Sequence, residues 1–363
     1  MLSNTIGRRM RIVWAIAAKD ILDGIRNKVL LQTVVTVLFM IVFYKALPIV
    51  TGGGPPQVTV YDMGNSTLTL DLQASPNVEA RRVSSLEDMQ RFVAMGGTPE
   101  IGLVIPAGFD AALAAGERLG LDAYVQHWVS DSAAETLAGR VEAEVAALLG
   151  RPIHLNLDAH WVYPPLDSIG PHTWAAFSMT LMLVLIGMGL TPQLMLEEKR
   201  AHTLEAILAS PASSGQVVLG KAIAGLLYCL VCGAVVLAFN AGMIVQWAFA
   251  ILAIMCGSLL AVAVGLLFGV SIEVVQSLRM WVSAVIIPVF VLPVVASFMA
   301  MDLPRVVNAA VRWFPSVALA RLFLLSMTNQ APLAEYGLDL ALTLGTAAIL
   351  LAVVAWRVRR SDR

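Results

Sequence analysis

The chain has 363 residues, of which 58% are hydrophobic and only 13% are charged, and its mean hydropathy is +0.78. Water-soluble domains carry about 25% charged residues, so this composition excludes a chain whose whole surface faces water. The net charge of −1 conceals two regions, because residues 51–168 hold 15 acidic and 6 basic residues while the remainder is net basic. The split predicts two compartments, separated by a membrane.

The first predicted element is an amphipathic helix within residues 1–28, which we expect to lie in the cytoplasmic interface of the membrane as an elbow helix. Trp14 and Leu22 belong to its apolar face and Asp20 to its polar face; a simple solvated lead-in is the alternative. The apolar run 29–50 is too long for a signal peptide and has no small-residue cleavage site after it. It is therefore predicted to be the first transmembrane helix.

Residues 51–168 alternate strand and helix patterns, which predicts an inserted α/β domain. The predicted strands are 57–62, 78–83, 101–106, 121–129 and 153–163, and the predicted helices are 84–95, 109–115 and 133–149. The segment contains no cysteine, so no disulfide framework holds it.

Five further spans are predicted in residues 169–363. They cover residues 172–196, two spans within the uncharged stretch 222–272 with a turn near 240–246, then 281–301 and 336–356. Between them lie a polar cytoplasmic loop, 197–221, and the segment 302–335. The apolar run in that second segment is too short to cross a membrane and is interrupted by Pro315 and Arg321, so a re-entrant segment in the outer leaflet is expected.

The basic residues set the expected orientation, because Lys and Arg concentrate in short cytoplasmic segments. They cluster near both termini and in the loop 197–221. The prediction is an α-helical membrane protein with six transmembrane helices, cytoplasmic N- and C-termini and an extracytoplasmic α/β domain.

No catalytic or metal site is predicted. The chain has no GxxxxGK[ST], GxSxG or HExxH motif, and the spacing of His154, His160 and His172 fits no standard metal site. Cys229 and Cys232 form a CxxC at helical spacing inside a span, where packing is the expected role. We expect no buried charge within the spans, which argues against a self-contained proton-coupled carrier and points to a partner as the energy source.

A stripe of small residues runs along the predicted fourth span, at intervals of four. It consists of Gly257, Ala261, Gly265 and Gly269. Such stripes allow close helix approach. Two interpretations stay open, namely packing within one subunit and a sliding or dimer surface.

The cytoplasmic loop carries a recognisable pattern. It reads Glu197-Glu198-Lys199-Arg200, then Thr203-Leu204-Glu205, Ser210-Pro211 and finally Gly220-Lys221. This resembles the first cytoplasmic loop of type-2 ABC transporter permeases, although His202 departs from the usual glycine or arginine. Lys19-Asp20 and the α/β domain are also similar to that family, in particular to sodium-efflux and multidrug permeases with a large loop after the first span.

The resemblance implies the permease subunit of an ATP-driven exporter in the plasma (inner) membrane of a bacterium. The chain itself would be no enzyme and hold no cofactor, because ATP and Mg would be bound by separate ABC ATPase subunits. A second permease copy, identical or a paralogue, would complete the pathway. The substrate stays open between a drug, a lipid-like molecule and sodium. The residues expected to couple to the ATPase are Glu197, Glu198, Lys199, Arg200, Thr203, Leu204, Glu205 and Leu208.

The sequence features also fit a function of another class. A membrane-anchored sensor or assembly scaffold would share the spans and would use the outer α/β domain to bind a ligand.

Overall fold

The computed structural model describes most of the chain outside the predicted first span. The described residues are 2–26, 54–117, 120–157, 161–166, 168–200, 213–272, 275–298, 304–329 and 332–361, with the isolated positions 35, 39 and 42. Apart from those three positions, the predicted span 29–50 lies outside this set. Helix α1 (Leu2–Arg26) precedes it, and an α/β domain and a helical bundle follow it.

Six strands of the α/β domain form one mixed sheet. They are β1 (Gln57–Asp62), β2 (Glu79–Val83), β3 (Glu100–Ile105), β4 (Gly120–Gln126), β5 (His154–Asn156) and β6 (Trp161–Val162). The order is β2-β1-β3-β4-β5, with β6 also paired to β4, and only β3 and β4 run antiparallel. The carboxyl end of β4 therefore lies at the same edge of the sheet as the amino ends of β1, β2 and β3.

Four helices cover the two faces of this sheet. They are α2 (Thr67–Ala74), α3 (Leu86–Met95), α4 (Phe109–Ala114) and α5 (Asp131–Leu149). On one face, alternate strand residues such as Val60 and Leu103 are buried together with Leu68 of α2 and Val141 of α5. On the other face α3 packs against the sheet through Met89 and its neighbours. The period-two burial follows from the pleat, which points successive side chains to opposite faces.

Among the described elements of the domain, helix α2 is not predicted from the sequence. The Oγ of Ser66 caps it by accepting a hydrogen bond from the backbone N–H of Leu68, at 3.2 Å. The carboxylate of Asp62 in turn accepts from the N–H of Ser66, at 2.8 Å. The helix begins with alternating Thr and Leu, a pattern that favours neither helix nor strand, so the cap and the packing of Leu68 and Leu72 decide it.

The bundle contains eight helices in the described residues. They are α6 (Pro171–Arg200), α7 (Ser214–Phe239), α8 (Trp247–Ser271), α9 (Val275–Val285), α10 (Leu292–Phe298), α11 (Arg305–Val311), α12 (Pro315–Ser326) and α13 (Leu333–Ser361). A short 3₁₀ turn, Ala241–Met243, joins α7 to α8. Helix α8 lies at the centre and packs against α6, α7, α12 and α13.

Five segments of the described chain are long and apolar enough to cross a membrane. They are Pro171–Leu196, Gly215–Phe239, Trp247–Ser271, Met280–Phe298 and Leu333–Arg360. Each overlaps one of the spans predicted from the sequence. Helices α11 and α12 together form a pair bent by 79°, in the segment predicted to be re-entrant.

A π-helical segment, Ile286–Val291, interrupts the span between α9 and α10. The apolar pattern of the sequence predicts one continuous helix for this span. Pro288 lies inside the segment, and a proline removes one backbone donor and clashes with the carbonyl four residues earlier. A widened turn is the local solution to both problems.

Candidate functional site

The predicted coupling residues fall at the end of α6 and just beyond it. Glu197, Glu198, Lys199 and Arg200 form its last turn, with side chains outside the described set, and Thr203, Leu204, Glu205 and Leu208 lie outside the described residues altogether. The described chain resumes at Ser213, which caps α7 in a capping box with Gln216. The structure thus defines the two helix ends between which the predicted coupling segment is held.

A buried ion pair lies next to these two helix ends. The side chain of Lys221, in the second turn of α7, is completely buried, and its Nζ lies 3.2 Å from Oδ2 of Asp20 in α1. The same ammonium group donates a hydrogen bond of 2.7 Å to the carbonyl oxygen of Leu194 in α6. A buried ammonium requires such partners, because desolvation of an unpaired charge costs several kcal/mol. One side chain therefore joins α1, α6 and α7.

Close packing between α1 and α7 surrounds this ion pair. A Cβ on Gly220 would lie 2.7 Å from Cγ2 of Ile16 and 3.3 Å from the carbonyl oxygen of Val13. The hydroxyl of Tyr228 donates a hydrogen bond to the carbonyl oxygen of Ile21. Gly220 is needed here because any side chain would push the two helices apart.

The location of Asp20 differs from the prediction made from the helical pattern. That pattern assigns Asp20 to the polar, solvated face of α1, but its side chain is only 6% exposed. Val13 and Ala17 share its buried face, while Trp14 and Leu22 are exposed. The helical pattern shows which face of α1 is polar, but it does not show a partner 201 residues away in the sequence. In the folded chain, the ion pair with Lys221 replaces the solvation of the carboxylate.

The small-residue stripe lies against other helices of the same chain. A Cβ on Gly265 would lie 2.3 Å from the carbonyl oxygen of Gly187 in α6, and one on Gly269 would lie 3.2 Å from Met195. Gly257 faces Leu183 and Leu319, and Ala261 faces Gly187. The stripe therefore allows the backbones of α6 and α8 to touch in the middle of the bundle.

The expectation that the spans hold no buried charge is wrong. Asp339, in the second turn of α13, has a completely buried side chain. Its Oδ1 lies 2.5 Å from Nη1 of Arg312, and its Oδ2 lies 3.2 Å from Nε of Arg321. Arg321 also pairs with Glu335. A single acid does not lower the hydropathy of a long apolar run enough to be noticed, and partners 18 and 27 residues away leave no local signal.

The α/β domain contacts the bundle through the residues that follow β4. Nε2 of His127 lies 3.1 Å from the carbonyl oxygen of Met243, in the turn between α7 and α8. The imidazole stacks on Tyr163, with ring centroids 5.1 Å apart. Burial lowers the pKa of His127, and the hydrogen bonds to the carbonyls of Met243 and Val162 partly oppose that shift. A neutral imidazole that donates from Nε2 fits this contact.

The same turn contacts the bent helix pair. The backbone N–H groups of Val245 and Gln246 both donate to the carbonyl oxygen of Ser326, at 3.0 and 2.9 Å. The side-chain amide of Gln246 donates to the carbonyl oxygen of Thr328, at 2.9 Å. The turn therefore connects the α/β domain to the end of α12.

The remaining histidines and cysteines have ordinary surroundings where they are described. Nδ1 of His154 lies 3.1 Å from Oε1 of Glu142, and His172 hydrogen-bonds to Ser168. His160 lies outside the described residues. The described residues contain no group of three His, Cys, Asp or Glu side chains that could hold a metal ion, and Cys229 and Cys232 are free thiols in α7.

The chain matches a known protein family. The family model described as ABC-2 family transporter protein covers residues 28–356 of the chain. No curated protein matches the chain at the threshold applied.

Proposed function

Because the chain belongs to the ABC-2 transporter family, whose members are membrane subunits, we propose that it is the permease subunit of an ATP-driven exporter. The observation that carries the mechanism is the contact of Lys221 with both Asp20 and Leu194. It joins α1 to the two helices that border the predicted coupling segment, α6 and α7, so a force applied to that segment moves the three helices together.

The coupling step begins on the cytoplasmic side. An ABC ATPase closes around ATP and Mg and pushes on the segment from Glu197 to Leu208. The mixed charges of Glu197, Glu198, Lys199, Arg200 and Glu205 pair with the ATPase surface, while Leu204 and Leu208 fill a groove on it. The buried Lys221 transmits the displacement to α1, α6 and α7 because breaking its contacts would strand a charge.

The displacement reaches the outer side along α7. This helix ends at the turn that contacts both His127 and Ser326. With both termini in the cytoplasm, the α/β domain lies outside the membrane and caps or gates the exit. Two copies of the chain, or one copy and a paralogue, enclose the pathway together with two ATPase subunits in the bacterial inner membrane.

The coupling segment is tested by combining Glu198→Ala with Glu205→Ala. We expect the ATPase that co-purifies with the unmodified chain to be lost or to lose its stimulation, because two predicted charge partners are removed. The pair Glu87→Ala and Glu135→Ala, on exposed positions of the α/β domain, is the matched control. A double variant that retains a fully active ATPase would contradict the proposal, and a co-purifying signalling protein would favour a sensor or scaffold.

The gating role of the α/β domain is tested by deleting residues 55–165. We expect transport of the substrate into inverted vesicles to change while the ATPase still co-purifies. Unchanged transport would remove the gating role but leave the permease function intact.

A further inference from the structure

A buried carboxylate of the last span, Asp339, binds both parts of the bent helix pair. Each oxygen of Asp339 is bound by a different arginine, Oδ1 by Arg312 and Oδ2 by Arg321. Arg321 has a second acceptor in Glu335, whose side chain is 46% exposed. The cluster therefore holds two cations and two anions, and only the aspartate is fully shielded from solvent.

The two arginines belong to parts of the protein that are packed very differently. Arg321 lies in α12, whose apolar residues Val317–Leu325 are buried in the bundle. Arg312 directly follows α11, in which residues 305–310 are all exposed, Val306 to 80%. The end of α12 is further bound by the turn between α7 and α8, through the carbonyl of Ser326.

Because of this difference in packing, the contact between Asp339 and Arg312 can break while the contact between Asp339 and Arg321 is kept. If α11 moves away, Arg312 loses Asp339, but its side chain is already 28% exposed, so the guanidinium moves to the surface of the bundle. Asp339 keeps Arg321, so no buried charge is left unpaired, and that is the condition under which an ion pair inside a membrane protein can break at low cost. If α12 moved instead, both acids would lose Arg321 and the packing of a buried helix would be disrupted.

We propose that Asp339 is a positioning residue that holds α11 as a lid on the outer end of the bundle, and that Arg312 is the arm that opens. The purpose of the lid, passage of substrate at the exit, rests on the proposed export function, whereas the ionic attachment does not. Arg321 and Glu335 keep α12 fixed in both positions of the lid.

Spin-label distances in lipid nanodiscs test this attachment on the full chain. The α11–α13 pair is Val306→Cys with Leu338→Cys. The α12–α13 pair is Asn329→Cys with Leu338→Cys, in which Asn329 lies three residues beyond the end of α12. All three positions are exposed. Cys232, the only native cysteine that is not buried, is replaced by alanine in both.

The arginine variants discriminate between a releasable arm and a structural ion pair. With Arg312→Gln we expect a second, longer-distance population for the α11–α13 pair and an unchanged distribution for the α12–α13 pair. Arg312→Lys should restore the short distance in most molecules, and Glu335→Gln should alter neither pair. If Arg312→Gln leaves the α11–α13 distance unchanged, or shifts both pairs together, the proposal is wrong.

Asp339→Asn provides a second test, with the same longer population expected for the α11–α13 pair. Should that variant fail to fold, the Arg312 and Glu335 variants still decide the question. None of these measurements requires the ATPase or a substrate, so their failure is distinct from failure of the export function.

Discussion

Two buried ion clusters lie at opposite ends of α7, and they differ in how the buried charge is paired. Near its start, the buried ammonium of Lys221 pairs with the carboxylate of Asp20. Beyond its far end, Asp339 is shared by Arg312 and Arg321. About 19 residues of helix separate Lys221 from the turn, roughly 29 Å at 1.5 Å per residue. Lys221 also binds a carbonyl oxygen of α6, so its contacts hold three helices together as a unit. The carboxylate of Asp339, by contrast, keeps a cation when one of its two arginines leaves.

The largest effect is expected from breaking the Asp20–Lys221 ion pair with Lys221→Met. It leaves Asp20 buried without its ammonium partner, which should lower the free energy of unfolding by about 3–5 kcal/mol. The measurement is unfolding of the purified chain in detergent micelles. Adding Asp20→Asn should recover much of the loss, and Lys19→Met, on the exposed side of the same helix, is the control. Equal stability of Lys221→Met and Lys19→Met would show that the pair is not needed.

A smaller effect is expected at the shared carboxylate with Arg312→Gln. Because Asp339 keeps Arg321, only one charged hydrogen bond is lost, at a cost of about 1.5–3 kcal/mol. The same unfolding measurement, run beside Lys221→Met, compares the two clusters directly. A loss as large as that of Lys221→Met would mean that the outer cluster has no redundancy.

A methyl group added where α6 and α8 cross tests whether the two ends of the helical bundle belong to one cooperative unit. Gly265→Ala places a methyl group against the carbonyl oxygen of Gly187 and should destabilise by about 1–3 kcal/mol. Gly345→Ala is the control, since nothing lies within 4 Å of a Cβ at that position. Hydrogen exchange should increase at both ends of the bundle in Gly265→Ala; an increase confined to one end would show that the ends are independent.

The smallest effect on stability is expected from protonation of His127 as the pH falls. Its pKa is lowered in the folded protein, so the unfolded chain binds the proton more readily and stability falls as the pH drops below about 6.5, the ordinary value. The loss should be localised at the contact with Met243. Hydrogen exchange of the turn at pH 7.5 and 5.5 checks this, and His127→Gln should abolish the difference.

Much of the fold follows from local patterns in the sequence. Strand β1 has the bounds that its β-branched residues predict, and β3 begins one residue before the predicted start. The turn between α7 and α8 falls at the polar residues that interrupt the uncharged stretch, between Phe239 and Trp247. These elements are predictable because hydropathy and turn chemistry act within a few residues.

The contacts that define the candidate site were not predictable in the same way. The family pattern includes Lys221, yet its pairing with Asp20 depends on how α1 packs against α7. Asp339 gives no signal in the sequence, because an isolated acid in an apolar span has no periodic signature. His127 had no signal at all, since its role depends on a carbonyl 116 residues away. Long-range pairing is a property of packing, and a single sequence does not record it.

In the span from Met280 to Phe298, the π-helical segment around Pro288 changes the direction in which the side chains after it point. One additional residue in a turn rotates everything after it by about 100° relative to a regular helix. A helical wheel drawn through the whole span would therefore assign the wrong side to the residues beyond Val291. Probes meant to map which face meets lipid should be numbered on two separate wheels, one ending at Val285 and one starting at Leu292.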